Sequence, residues 1–176
     1  MTAKHDDGIR PPRTERATAS EGKGGTSMPV QVFDIHTTAA GDDAIDFTAG
    51  AGSSWTIAPG TVVAADLGAG VSSLIHSSSL INHGTILTTG TYAAVSFMET
   101  GQIINAADGS ITGATGIATD HANIDVVNFG SVFAEAIGVR FNGDTDDTSL
   151  DNRGLIFSNS TGVSDQSAAH GARDRQ

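Results

Sequence analysis

The feature that most constrains this chain is a set of residue columns that recur every 21 to 25 positions. Gly60, Gly84, Gly109, Gly130 and Gly154 stack at intervals of 24, 25, 21 and 24. Two residues before each glycine lies Ala58 and then, apart from one longer step at Asn105, an asparagine: Asn82, Asn105, Asn128 and Asn152. Ile57, Ile81, Ile104 and Val127 precede that column, and Val62, Ile86, Ile111, Val132 and Ile156 follow the glycines. A further apolar site recurs at Val71, Val95, Ile117, Val139 and Val163, spaced 24, 22, 22 and 24. The unit reads apolar-Asn-x-Gly-x-apolar, a turn of small residues, then small-apolar-x-apolar. Self-similarity at this period means a solenoid, a propeller or an array.

A propeller blade needs about 40 residues, and leucine-rich repeats need a leucine skeleton that is missing. Helical repeats need apolar spacing near 3.6, whereas here the texture has period 2 with Gly, Ser, Thr and Asn between. The expectation is therefore an all-β fold: a single-stranded parallel β-helix (solenoid) of about five to six coils, with 21–25 residues per coil. Coils stack at the strand spacing of about 4.7–4.9 Å, so each column becomes a ladder of like residues. On this reading Ile57, Ile81, Ile104 and Val127 stack in the core, as do Val62 and its successors. The asparagines form a hydrogen-bonded ladder at a corner.

Four segments are expected: 1–27 a disordered extension, 28–54 a degenerate first coil or N-terminal cap, 55–165 the regular repeats, and 166–176 a disordered tail. The first is polar and holds five of the nine Lys and Arg residues. The alternating MPVQVFDIHTT that begins at Met28 makes Met28 the expected natural start. AIDF at 44–47 resembles AVSF at 94–97.

Charge excludes partners. No Lys or Arg lies between Gly24 and Val139, and from Met28 to Asp165 there are 15 acidic and 2 basic residues, a net of −13. A nucleic-acid partner needs a basic stripe, so none is expected. No run is long and apolar enough for a spanning helix, so no membrane insertion is expected. Cysteine is absent, which removes disulfides and thiolate chemistry.

The segments SLINHGTI (79–86), LDNRGLI (150–156) and INAADGSITGATGI (104–117) resemble the N-G-x-I repeats of large exported bacterial proteins with parallel β-helices. These are autotransporter passenger domains, filamentous adhesins and hemolysin-type (RTX) calcium-binding proteins. The resemblance covers roughly residues 44–165. It implies an extracellular or cell-surface location, reached without a cleaved N-terminal signal peptide. It also implies a structural or surface-interaction role, a carbohydrate or cell-surface partner, and association with Ca²⁺. The calcium-binding glycine-aspartate nonapeptide of the RTX family does not occur here.

The metal candidate is the stretch NGDTDDTSLDN, residues 142–152, where Asp144, Asp146, Asp147 and Asp151 offer hard oxygen ligands suited to Ca²⁺. The opposing reading is a solvated acidic loop. The six histidines (His5, His36, His76, His83, His121 and His170) show no zinc-ligand spacing. The alternative function is a carbohydrate-active β-helix enzyme, a polysaccharide lyase or hydrolase, which needs an acid–base constellation on one face. The only basic residues within the repeats, Arg140 and Arg153, fall in different columns. Unpaired sheet edges at the solenoid ends predict self-association.

Overall fold

The computed structural model describes residues 30–47, 54–120, 123–142 and 148–166. The expected extension 1–27, the Met28 start and most of the tail 166–176 lie outside them. So do His5, His121, His170, Asp144, Asp146 and Asp147.

Alternation of apolar and small polar residues, cut by glycine corners, makes every described element a strand. The first three are β1 (Val30–Gln31), β2 (Ile35–Thr37) and β3 (Ile45–Phe47). The next coil holds β4 (Ser54–Ile57), β5 (Val62–Ala65) and β6 (Val71–Ser73). The third holds β7 (Ser78–Asn82), β8 (Thr85–Thr88) and β9 (Ala93–Phe97). Then come β10 (Gly101–Asn105) with the long β11 (Ser110–Thr119), and β12 (Ile124–Asn128) with the long β13 (Ser131–Phe141). The last coil holds β14 (Ser149–Asn152), β15 (Leu155–Ser158) and β16 (Thr161–Asp165).

Every pairing is parallel, and every partner lies one coil away. The chain is a parallel β-solenoid. One face is a six-stranded sheet in the order β1-β4-β7-β10-β12-β14. The other two faces merge into one sheet because β11 and β13 each run through a corner. An irregularity between Gly113 and Thr115 bends the chain there without ending the strand.

The core is a set of ladders. Val71, Val95, Ile117, Val139 and Val163 are in register as expected, and Ile45 extends that column backwards. The AIDF and AVSF segments fall in the same columns, with Phe47 against Phe97 at 5.7 Å between ring centroids.

Two expectations need correction. Ile81, Ile104 and Val127 do not stack in the core. They are half-buried on the outer face, while Leu80, Ile103 and Val126, one position earlier, are fully buried. Side chains alternate along a strand, so with the asparagines pointing inward their immediate neighbours must point outward.

The second correction concerns the β4–β5 coil, which is displaced by one residue from the expected columns. Ile57, not Ala58, pairs with Asn82, and Val63, not Val62, pairs with Ile86. Val63 is fully buried and Val62 is 36% exposed. The carbonyl of Thr61 accepts from the Thr85 amide at 2.8 Å, as that of Gly84 accepts from Ser110 at 2.8 Å. Thr61 thus holds the place that glycine holds in later coils. Gly60 is a turn residue at φ +78°, where a side chain would be strained.

Candidate functional site

The corner after the first strand of each coil is built by asparagine and glycine. Asn82 Nδ2 donates to Asn105 Oδ1 at 2.9 Å, Asn105 to Asn128 at 2.8 Å, and Asn128 to Asn152 at 2.8 Å. Each of these amides also donates to a backbone carbonyl of the next coil, at Ser110, Ser131 or Leu155. Asn82, Asn105 and Asn128 are fully buried, and the ladder satisfies polar groups that would otherwise be costly there. The glycines close the corner: a Cβ at Gly109 or Gly130 would collide with the carbonyl oxygen of Asn82 or Ala106 in the preceding coil.

Histidines tie neighbouring coils on the surface. His36 and Asp66 lie 3.0 Å apart, His76 and Glu99 3.1 Å, and His83 and Asp108 2.8 Å. All three pairs join one coil to the next in the half of the rod without Lys or Arg. The hydrogen bond from His36 holds the Asp66 carboxyl below its ordinary range, and that from His83 does the same for Asp108. His83 is a partly exposed surface residue, as its variable column implied.

Asp151, the one described member of the acidic candidate set, lies in β14 rather than in a loop. Its Oδ1 accepts from Arg153 Nε at 3.1 Å, and its Oδ2 is 2.9 Å from Arg153 Nη2. Both oxygens are engaged by one guanidinium, which also lies over the Phe129 ring at 5.7 Å. Asp144, Asp146 and Asp147, the other members of the set, lie outside the described residues. Among the described residues no three His, Cys, Asp or Glu side chains come together as a metal-binding group.

Arg140 lies elsewhere, on β13 between Ala118 and Ser164 in register. Its Nε is buried and has no hydrogen-bond partner among the described residues. The structure thus separates Arg140 from the Asp151–Arg153 pair, as their columns implied.

Sequence reasoning missed an open groove of about 370 Å³ across the β8, β11, β13 and β15 rungs. Thr112 stands between Leu87 and Phe133 in register, and Gly113, beside Ala134, adds no side chain to the floor. Phe133 and Phe157 are paired in register and partly exposed, and Glu135 and Asn159 complete the rim. The signal was available: Val132 and Ile156 point inward, so each following phenylalanine must point outward. Exposed aromatic faces beside hydroxyl, amide and carboxylate groups suit a ligand with both an apolar face and hydroxyls.

No helix among the described residues is long and apolar enough to cross a membrane. No family model, curated protein or solved structure matches this chain.

Proposed function

We propose that this chain is a structural and surface-interaction β-solenoid segment of an exported bacterial repeat protein, working outside the cell or at its surface. The observation that carries this reading is where the recurring residues go. Asparagine, glycine and β-branched columns join coil to coil, and the histidine–carboxylate pairs do the same on the surface. The residues available to a partner are those that do not recur. The Phe133 and Phe157 groove is the place for a carbohydrate or other cell-surface ligand, since it offers aromatic faces and hydrogen-bonding groups without a cation. Calcium association belongs to the same reading, through Asp144, Asp146 and Asp147; calorimetric titration at millimolar Ca²⁺ tests it, and absence of heat removes it.

The competing reading, a polysaccharide lyase or hydrolase, rests on Arg140 with its buried Nε. One experiment separates the two. Labelled protein is applied to immobilised polysaccharides, and released reducing ends are assayed in parallel. Retention that falls about tenfold in Phe157→Ala, with no sugar release, supports the binding role. Sugar release that disappears in Arg140→Ala overturns it.

A further inference from the structure

The two ends of the rod differ. At the N-terminal end the inward side chains are largely covered: Gln31, Thr37, Ile45 and Phe47 are buried and Ile35 is half-buried. At the C-terminal end every inward column loses its cover together. Leu80, Ile103 and Val126 are fully buried, but Leu150 is only half-buried. Ile86, Ile111 and Val132 are fully buried, but Ile156 is only half-buried. Val71, Val95, Ile117 and Val139 are fully buried, whereas Val163 is 47% exposed. The asparagine column ends the same way, with Asn152 exposed.

Three features of this end specify what would fit it. The ladder has a direction: each Asn Nδ2 donates to an oxygen of the coil that follows. Asn152 Oδ1 is occupied by Asn128, and its Nδ2 has no acceptor among the described residues. A matching coil must therefore present an oxygen acceptor at that place, as Asn128 does for Asn105. The second feature is Gly162. In its column a Cβ on Gly116 would come within 2.6 Å of the Gly138 carbonyl oxygen, and one on Gly138 would meet that of Gly162. The coil that follows is what excludes a side chain at these positions. Gly162 has nothing within 4 Å of its Cβ position, so it keeps the residue that a further coil would require. The third feature is the exposed Val163, which calls for an apolar residue in register.

We propose that the C-terminal end of the rod binds one further coil of the chain's own repeat type, stacked in parallel register. The occupant is an extended segment carrying apolar-x-Asn-x-Gly and, some residues later, small-apolar. Binding is strand addition to an open edge, with backbone hydrogen bonds supplying affinity and the columns supplying register. The inference goes beyond the role proposed above, because it concerns the end of the rod and not the groove on its side.

The test titrates the full chain into a fluorescein-labelled synthetic peptide of residues 124–142, which carries Asn128, Gly130, Gly138 and Val139. Saturable binding is expected. A peptide with Asn128→Ala should bind about tenfold more weakly, since it lacks the ladder acceptor. Val163→Lys in the full chain should abolish binding while leaving the circular dichroism spectrum unchanged, and Val30→Lys at the opposite end should leave binding intact. Failure of the unaltered peptide to bind, equal binding by a scrambled peptide, or equal binding to the Val163→Lys protein overturns the proposal. So does concentration-dependent self-association that the peptide does not reduce, because the occupant is then a second copy of the chain.

Discussion

Asn105 lies between two like residues. It accepts from Asn82 and donates to Asn128, fully out of contact with water. Asn105→Ala leaves a buried donor and a buried acceptor unpaired, which should cost about 2 to 3 kcal/mol. Asn152→Ala, at the exposed end of the same ladder, should cost under about 1 kcal/mol. Urea unfolding of the two variants measures the difference, and equal losses would show that the ladder contributes little. That the column accepts an apolar residue in the β4 coil, at Ile57, fits this account. Ile57 begins the column below the first asparagine and leaves no amide unpaired. The surface pairs respond to acid instead. His36 and His83 lower Asp66 and Asp108 by hydrogen bonding, so both carboxyls are more acidic folded than unfolded. A depressed folded value means stability that is present above the unfolded value of about 3.9 and lost as pH falls through the folded one. Denaturant midpoints should therefore drop below about pH 4, and Asp66→Asn with Asp108→Asn should flatten that drop. An unchanged slope in the double variant would exclude these pairs as its source.

Along a strand the deciding question is which side chain points inward. Ile103 and Ile104 are adjacent in β10 with opposite burial, the first complete and the second partial. Ile103→Ala should cost about 2 to 5 kcal/mol through lost burial and an internal cavity, and Ile104→Ala about 1 kcal/mol or less. Reversed magnitudes in equilibrium unfolding would invert the facing of this whole sheet. The distinction could be read from the sequence, because a ladder of inward asparagines sets the parity of every neighbour. The repeat itself, the asparagine ladder and the Val71 to Val163 column were legible for the same reason: like residues at a near-constant interval occupy equivalent places in successive coils. The first regular coil was not. Its corner has three residues between Ile57 and Thr61, as the β10–β11 corner has three between Asn105 and Gly109, whereas the β7–β8 corner has only His83 between Asn82 and Gly84. Gly60 then matches the glycine column by composition although it serves a different turn. The groove is hard to find from a repeat pattern because its aromatic pair, Phe133 and Phe157, spans only two coils. Asp151 reads as a free ligand until Arg153 is considered, two residues on, because residues so spaced along an extended chain share a face.

At the scale of the whole rod, each coil touches only the coils beside it, so local stability should follow the number of covered faces. The middle coils are covered on both sides by ladders whose apolar members are fully buried. Among the described residues the β14–β16 coil has a neighbour on one side only, and its strands hold exposed or half-buried residues throughout. Openings that expose a backbone amide should therefore be easiest at the C-terminal end and hardest from β7 to β12. Hydrogen exchange followed by mass spectrometry should show protection falling from β12 to β16, with exchange in β16 at least about a hundredfold faster than in β10. Adding the 124–142 peptide should slow exchange in β14 to β16 and leave β4 to β10 unchanged, because a new coil covers only the end it stacks on. Uniform protection along the rod would mean that the coils open as one unit and that the exposed end is not its weak point. Slowing spread evenly over all strands would mean that the peptide acts somewhere other than the open edge.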